Sequence, residues 1–183
     1  MNGHHLVLGK LADVITGEIL DDTLDERYRQ QLGHLLVNQK GYMKTDITPR
    51  QNILVSAGKN RARMPLDFKV TVSSIVGMII KYGPGSIVTR HRPALALSRL
   101  IAPYQIPVVV VTNGQTAEIL DGASGKLLSH GLDTIPARAR LKEIVTAADL
   151  ETISKKRFEM ESRILYAFEI DGACPCDDTI CRL

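Results

Sequence analysis

The chain has 183 residues, 44% of them hydrophobic and 23% charged, with a formal charge of +3. That composition suits one globular domain with a sizeable core and excludes wholesale disorder. The slight positive charge permits a nucleic-acid partner without demanding one, because clustering of charge is what matters. The longest apolar run, around IPVVVV, is far too short to span a bilayer, and the start MNGHHLVLGK lacks the apolar core and cleavage signal of a secretory peptide. The expectation is a soluble, cytoplasmic protein with no membrane partner.

The segment DDTLDERYRQQLGHLLVNQKGY predicts a helix with both ends marked. Thr23 and Glu26 have capping-box spacing, and Gly41 supplies a stop. Tyr28, Leu32, Leu35 and Leu36 fall on one stripe. Three short β-type runs follow, ILVSAG, LDFKVTV and IVGMIIK, separated by turn residues as in a meander. YGPGS breaks the sheet, and RHRPALALSRLIAPY predicts a second helix with Pro93 in its first turn. IPVVVV suits a strand buried on both faces. Asn113-Gly114 marks a turn into AEIL, and DGASGK marks another. From Arg138 to about Glu169 the pattern is helical and charged. The order helix, meander, helix, strand predicts an α/β arrangement, with helices flanking a mixed sheet.

Alternation in LDFKV puts Leu66, Phe68 and Val70 on one face, with Asp67, Lys69 and Thr71 on the other. An acid has poor β preference, so Asp67 needs a reason. A solvated outer face is one reason; a carboxylate aimed at a hard cation such as magnesium is the other. Lys81 ends the IVGMIIK run, where a lysine either snorkels to solvent or stabilises charge developing on phosphate oxygens. Glu26 can bond back to the amide of Thr23 as a cap, or face the sheet as a second carboxylate. Lys59, Arg61 and Arg63 precede the Asp67 strand, and Arg90, His91 and Arg92 open the second helix. Both clusters read as solvated loops or as phosphate contacts, and together they bracket Asp67 and Lys81.

DERYRQQLGHLLVNQKGYMKTDI, PLDFKV, IIK, the second helix and PVVVVTNG together resemble the N-terminal domain of type I restriction enzyme R subunits, a member of the PD-(D/E)xK nuclease superfamily. The resemblance covers roughly residues 10 to 135. It implies a restriction-endonuclease-like mixed sheet flanked by helices over residues 1–135, then a helical extension over 136–183. It also implies a DNA partner, further protein subunits, and magnesium-dependent endonuclease chemistry. In that pattern Glu26 matches the acid of the first helix, Asp67 the metal-binding aspartate and Lys81 the motif lysine, with Arg61, Arg63, Arg90 and Arg92 left to hold DNA. The sequence departs from the pattern at Ile79, where an acid is expected, and at Ala96 and Leu100, where many relatives carry glutamine and tyrosine.

An aliphatic side chain cannot ligate magnesium, which leaves three outcomes. Glu26 and Asp67 hold one ion with a backbone carbonyl; Glu118 substitutes from the strand after TNG; or the site has lapsed into a DNA-binding or docking module. No GxxxxGK[ST] phosphate loop occurs, so a stand-alone relative without a motor is expected. Cys174, Cys176 and Cys181 make a C-x-C-x4-C tail. Three thiols so close suit zinc or an iron–sulfur cluster, although a fourth ligand is needed; a reduced tail with incidental thiols is the other reading.

Overall fold

A computed structural model describes residues 6–171 together with 181–182. Its main sheet runs in the order β3 (Ile47–Ala57), β4 (Asn60–Val72), β5 (Ile75–Tyr82), β6 (Val108–Thr112), β7 (Ala117–Asp121) and β8 (Leu127–His130). Only the β5–β6 pairing along this order is parallel, and α2 (His91–Ile101) makes the crossover. A small hairpin, β1 (Lys10–Ala12) and β2 (Ile19–Asp21), precedes α1 (Leu24–His34). The remaining elements are α3 (Arg138–Ala147), α4 (Lys155–Leu165) and β9 (Cys181–Arg182), which pairs with β4 at Ala62 and Arg63. The α/β class with helices on a mixed sheet is therefore as the sequence predicts.

Both faces of the sheet are covered. Leu32 and Leu36, at the end of α1 and in the π-helical turns after it, pack with Leu141 and Val145 of α3 against Phe68, Val70, Met78 and Ile80. On the other face, Ala94 and Leu97 of α2 and Leu165 of α4 pack against Met64, Leu66, Ile79 and Val109. VVVVT is buried at every position, as a strand between two helical layers requires.

The helix signal at α1 holds in detail. Thr23 has extended backbone angles and its hydroxyl accepts from the Glu26 amide at 3.1 Å. The reciprocal bond of a capping box is not made: the Thr23 amide donates to the Asp21 carbonyl instead. Gly41 ends the element with a φ of 71°. The sequence pattern does not predict the strands β1, β2 and β8.

The β3–β4 ribbon bends where Arg50 adopts a left-handed conformation, φ 50°, opposite Asp67. Pairs on either side of it keep one register, Pro49 with Phe68 and Gln51 with Leu66. The ribbon coils through the bend, so one alternation serves two cores. Phe68, Val70 and Val72 pack on the α1–α3 side, whereas Ala62, Met64 and Leu66 pack on the α2–α4 side.

Candidate functional site: a buried ion-pair corner

The bend also opens a fork. β4 and β5 pair from Val72–Ile75 to Phe68–Ile80 and then separate. Pro65, which has no amide hydrogen to give, lies in the separated part, where a missing donor costs least. Asp67 closes the fork with its side chain: Oδ2 accepts the Tyr82 amide at 2.8 Å, continuing the ladder that the backbone abandons. Lys81 Nζ fills the remaining gap, donating to the Pro65 carbonyl at 3.3 Å and standing 3.9 Å from Asp67 Oδ2.

Asp67 is 3% exposed, so its place is not a solvated outer face. Its second oxygen, Oδ1, accepts from Arg29 Nε at 2.7 Å. Arg29 lies one turn from Glu26 on α1 and reaches it as well, Nη1 to Oε2 at 3.4 Å. Glu26 Oε1 accepts from Gln30 at 2.8 Å and lies 3.5 Å from Arg50 Nη1, and that same nitrogen meets Asp13 Oδ2 at 2.5 Å. Beyond Lys81, Glu169 approaches Nζ at 3.8 Å. The result is a line of alternating charge: Asp13, Arg50, Glu26, Arg29, Asp67, Lys81, Glu169. It ties the first hairpin, α1, the β3 bend, the fork and the segment after α4 into one structure. Left-handed backbone at a non-glycine residue costs about 1–3 kcal/mol, and the ion pairs of Arg50 hold it there.

Burial alone would raise the Asp13 carboxyl. The Thr16 amide, Gln30 and Arg50 outweigh it and hold the carboxyl well below the usual range. Burial likewise opposes the charge on Arg29, but Asp67 and Glu26 raise it above the ordinary guanidinium value. The Arg29 guanidinium also lies over the Tyr82 ring, 5.4 Å from its centroid. Tyr82 stacks on Tyr28 at 5.8 Å and donates its hydroxyl to Asp25 at 3.0 Å. Tyr28 in turn presses on the TNG turn: a Cβ at Gly114, φ 86°, would meet the Tyr28 ring at 2.4 Å. Only glycine suits that turn, which links the recognisable TNG to the wall of the corner.

Of the residues singled out in the sequence, Glu26, Asp67 and Lys81 are brought together. Ile79 is fully buried in the apolar cluster beneath α2. Glu118 lies in one cross-sheet row with Lys81, Val111 and His130, two strands from Lys81, roughly 10 Å at ordinary strand spacing. It pairs with His91 and, at 3.6 Å, His130. Ala96 is buried and Leu100 partly buried in the α2–α4 core.

The basic residues divide. Arg61 and Arg63 are exposed on the β3–β4 hairpin, beside exposed Lys59. Arg90 folds back on the glycine turn before α2, donating to the Pro84 carbonyl at 2.9 Å. Arg92 pairs with buried Glu161 at 2.7 Å, and Arg99 and Arg157 reach the same carboxylate at 2.8 and 2.6 Å. Cys174 and Cys176 lie outside the described residues, and Cys181 is described only by its backbone pairing with Arg63. Among the described residues no group of three histidines, cysteines or acids is placed to hold a metal ion, and no helix is long and apolar enough to cross a membrane.

The sequence pattern does not single out Arg29, Arg50, Asp13 and Glu161. Arg29 and Gln30 carried a faint signal, three and four residues after Glu26 on the same helical face. The other three depend on contacts far apart in sequence, such as Arg50 with Asp13, 37 residues away, and Arg99 with Glu161, 62 residues away.

No curated protein and no solved structure matches the chain. The family model described as Type I restriction enzyme R protein N terminus (HSDR_N) matches residues 24–136, a span that includes α1, the fork, α2 and the TNG turn. The chain belongs to this family, and with it to restriction-related DNA processing.

Proposed function

We propose that the chain is a DNA-contacting module of a restriction system whose phosphodiester-cleaving corner has lapsed. Ile79 carries this reading. At the position where the PD-(D/E)xK pattern calls for an acid, the side chain is aliphatic and enclosed by the α2–α4 core. The nearest substitute considered, Glu118, is engaged two strands away. The remaining donor set does not fit magnesium, which asks for about six oxygens around a small ion. Glu26 and Asp67 face each other across a guanidinium instead.

DNA contact is supported by Lys59, Arg61 and Arg63, exposed on a hairpin that leads directly into the fork. Arg92 and Arg90 support it less, Arg92 being tied to Glu161 and the Arg90 guanidinium folded back on the Pro84 carbonyl. Residues 1–135 form the restriction-type module in this reading. Residues 136–183 form an extension, α4 being bolted to α2 through Glu161. Further subunits of a restriction system are the expected protein partners. Zinc or an iron–sulfur cluster remains a proposal for Cys174, Cys176 and Cys181.

A second reading rests on the gathering of Glu26, Asp67 and Lys81, the combination expected of magnesium-dependent hydrolysis of DNA. Duplex binding followed over a range of salt tests the primary reading. Log affinity should fall linearly with log salt, and each of Arg61→Ala and Arg63→Ala should shrink the slope by about one unit. No measurable affinity for duplex at low salt would remove the DNA-contacting reading.

A further inference from the structure

We propose that Arg29 is the resident cation of this corner: its guanidinium occupies the place between Glu26 and Asp67, making the site indifferent to divalent metal. The inference deepens the lapsed reading above and rests on it. Four carboxylate oxygens are involved, and their partners fall into an outer and an inner pair. The outer ones accept hydrogen bonds from neutral donors, Asp67 Oδ2 from the Tyr82 amide and Glu26 Oε1 from Gln30, with Lys81 and Arg50 as more distant ion partners at 3.9 and 3.5 Å. The inner ones, Asp67 Oδ1 and Glu26 Oε2, both turn to the one guanidinium. Two carboxylates oriented by their outer oxygens and open toward each other are how a protein prepares for a cation. Here the cation is covalently attached.

Charge accounting points the same way. Glu26 and Asp67 bring two negative charges, and Arg29, Lys81 and Arg50 bring three positive ones within 4 Å. A dication entering would meet a neutralised pair, and it would have to shed water that magnesium releases reluctantly. Displacing Arg29 would also break its contact with the Tyr82 ring, leaving a long cation in a mostly covered slot. The planar fork suits this role better than an ammonium, since it reaches two carboxylates at once.

Equilibrium dialysis with Mn2+ alone, in the natural chain and in Arg29→Gln, each with and without Asp67→Asn, provides the test. The natural chain should bind no Mn2+ that depends on Asp67. Arg29→Gln should gain one Mn2+ per chain and lose it again when Asp67→Asn is added. Its unfolding midpoint should rise by about 5 °C at saturating Mn2+ while that of the natural chain stays put. Should Arg29→Gln be unfolded without metal, folding on addition of Mn2+ counts for the proposal; remaining unfolded, or folding without taking up metal, counts against it. Asp67-dependent Mn2+ binding by the natural chain overturns it outright. The two readings separate cleanly. A natural chain that binds Mn2+ through Asp67 yet binds duplex without cutting it loses only this inference. One that binds neither Mn2+ nor duplex loses only the DNA-contacting reading.

Discussion

Two buried charge clusters flank the sheet, and they are built in opposite proportions. In the corner beside α1, four carboxylates, Asp13, Glu26, Asp67 and Glu169, share Arg50, Arg29 and Lys81. Beneath α2 and α4, one carboxylate, Glu161, is shared by Arg92, Arg99 and Arg157. The second cluster is a bolt. It joins helix to helix, and its central acid is wholly shielded. The first borders a fork in the sheet, where strands separate and side chains replace backbone partners. Its one surplus acid comes from the outer members Asp13 and Glu169, while the central pair, Glu26 and Asp67, is met by Arg29, Arg50 and Lys81. Burial of charge alone does not mark function; what distinguishes the corner is the sign of its surplus and the open ladder beside it.

Removing the bolt should have the largest effect. Glu161→Ala leaves three guanidiniums facing one another, one of them buried. Burial, together with Arg157 and Arg92, already presses Arg99 below the ordinary guanidinium range despite Glu161. The loss should be about 3–5 kcal/mol in urea denaturation, with duplex affinity of the surviving folded protein unchanged. A loss below about 1 kcal/mol would mean that α4 is held by packing alone.

Ile79 tests the other side of the account. Ile79→Ala should cost about 2–4 kcal/mol, as a cavity in a closed apolar core does. Ile79→Glu should cost several kcal/mol, because no partner awaits a carboxylate there. If Ile79→Glu instead kept its stability and took up metal, position 79 would face the corner and not the core.

Acid acts on both clusters, and more gently. Asp13 and Glu161 both have folded pKa values below their ordinary 3.8 and 4.5. For Glu161 burial pulls upward, and Arg92, Arg99 and Arg157 overcome it. Below those ordinary values the unfolded chain binds protons that the folded chain still refuses, so stability falls as pH falls. Above them the contribution is complete and flat. Asp13→Asn and Glu161→Gln should each lower stability at neutral pH and flatten the acid limb of a stability–pH profile. An unchanged limb in both would place acid sensitivity elsewhere.

The smallest effect belongs to the hairpin. Arg61→Ala should change stability by no more than about 0.5 kcal/mol while lowering the salt dependence of duplex binding. Arg92→Ala should do the reverse, losing stability and leaving the salt slope alone, since its charge is spent on Glu161.

These residues also explain what the sequence could and could not reveal. Local signals carried the α1 cap at Thr23, the TNG turn, the buried VVVVT strand and the meander, because each is decided by neighbours in the chain. Asp67, Lys81 and Glu26 could be singled out, since an acid in a strand and a lysine at a strand end are anomalies. Their roles could not, for two physical reasons. The spacing of Thr23 and Glu26 suits a cap and a site equally, and only the fold shows that the Thr23 amide goes to the Asp21 carbonyl and not to Glu26. Alternation placed Asp67 opposite the apolar face, but a sheet covered on both sides has no solvated face to offer. Arg157 and Glu161 look like an ordinary surface pair at helical spacing, and nothing local announces Arg92 and Arg99 above them. Arg50 sits in a β-pattern with no hint of left-handed backbone. β1, β2 and β8 are three or four residues each, too short for periodicity to register.

The claim that the corner has lapsed is tested most directly by incubating supercoiled plasmid with the natural chain and with Asp67→Asn, in magnesium and separately in manganese. Neither protein should convert the plasmid to nicked or linear forms in either metal, under conditions where the natural chain is shown to bind the DNA. Nicking by the natural chain that disappears in Asp67→Asn would contradict it and establish the corner as a working nuclease.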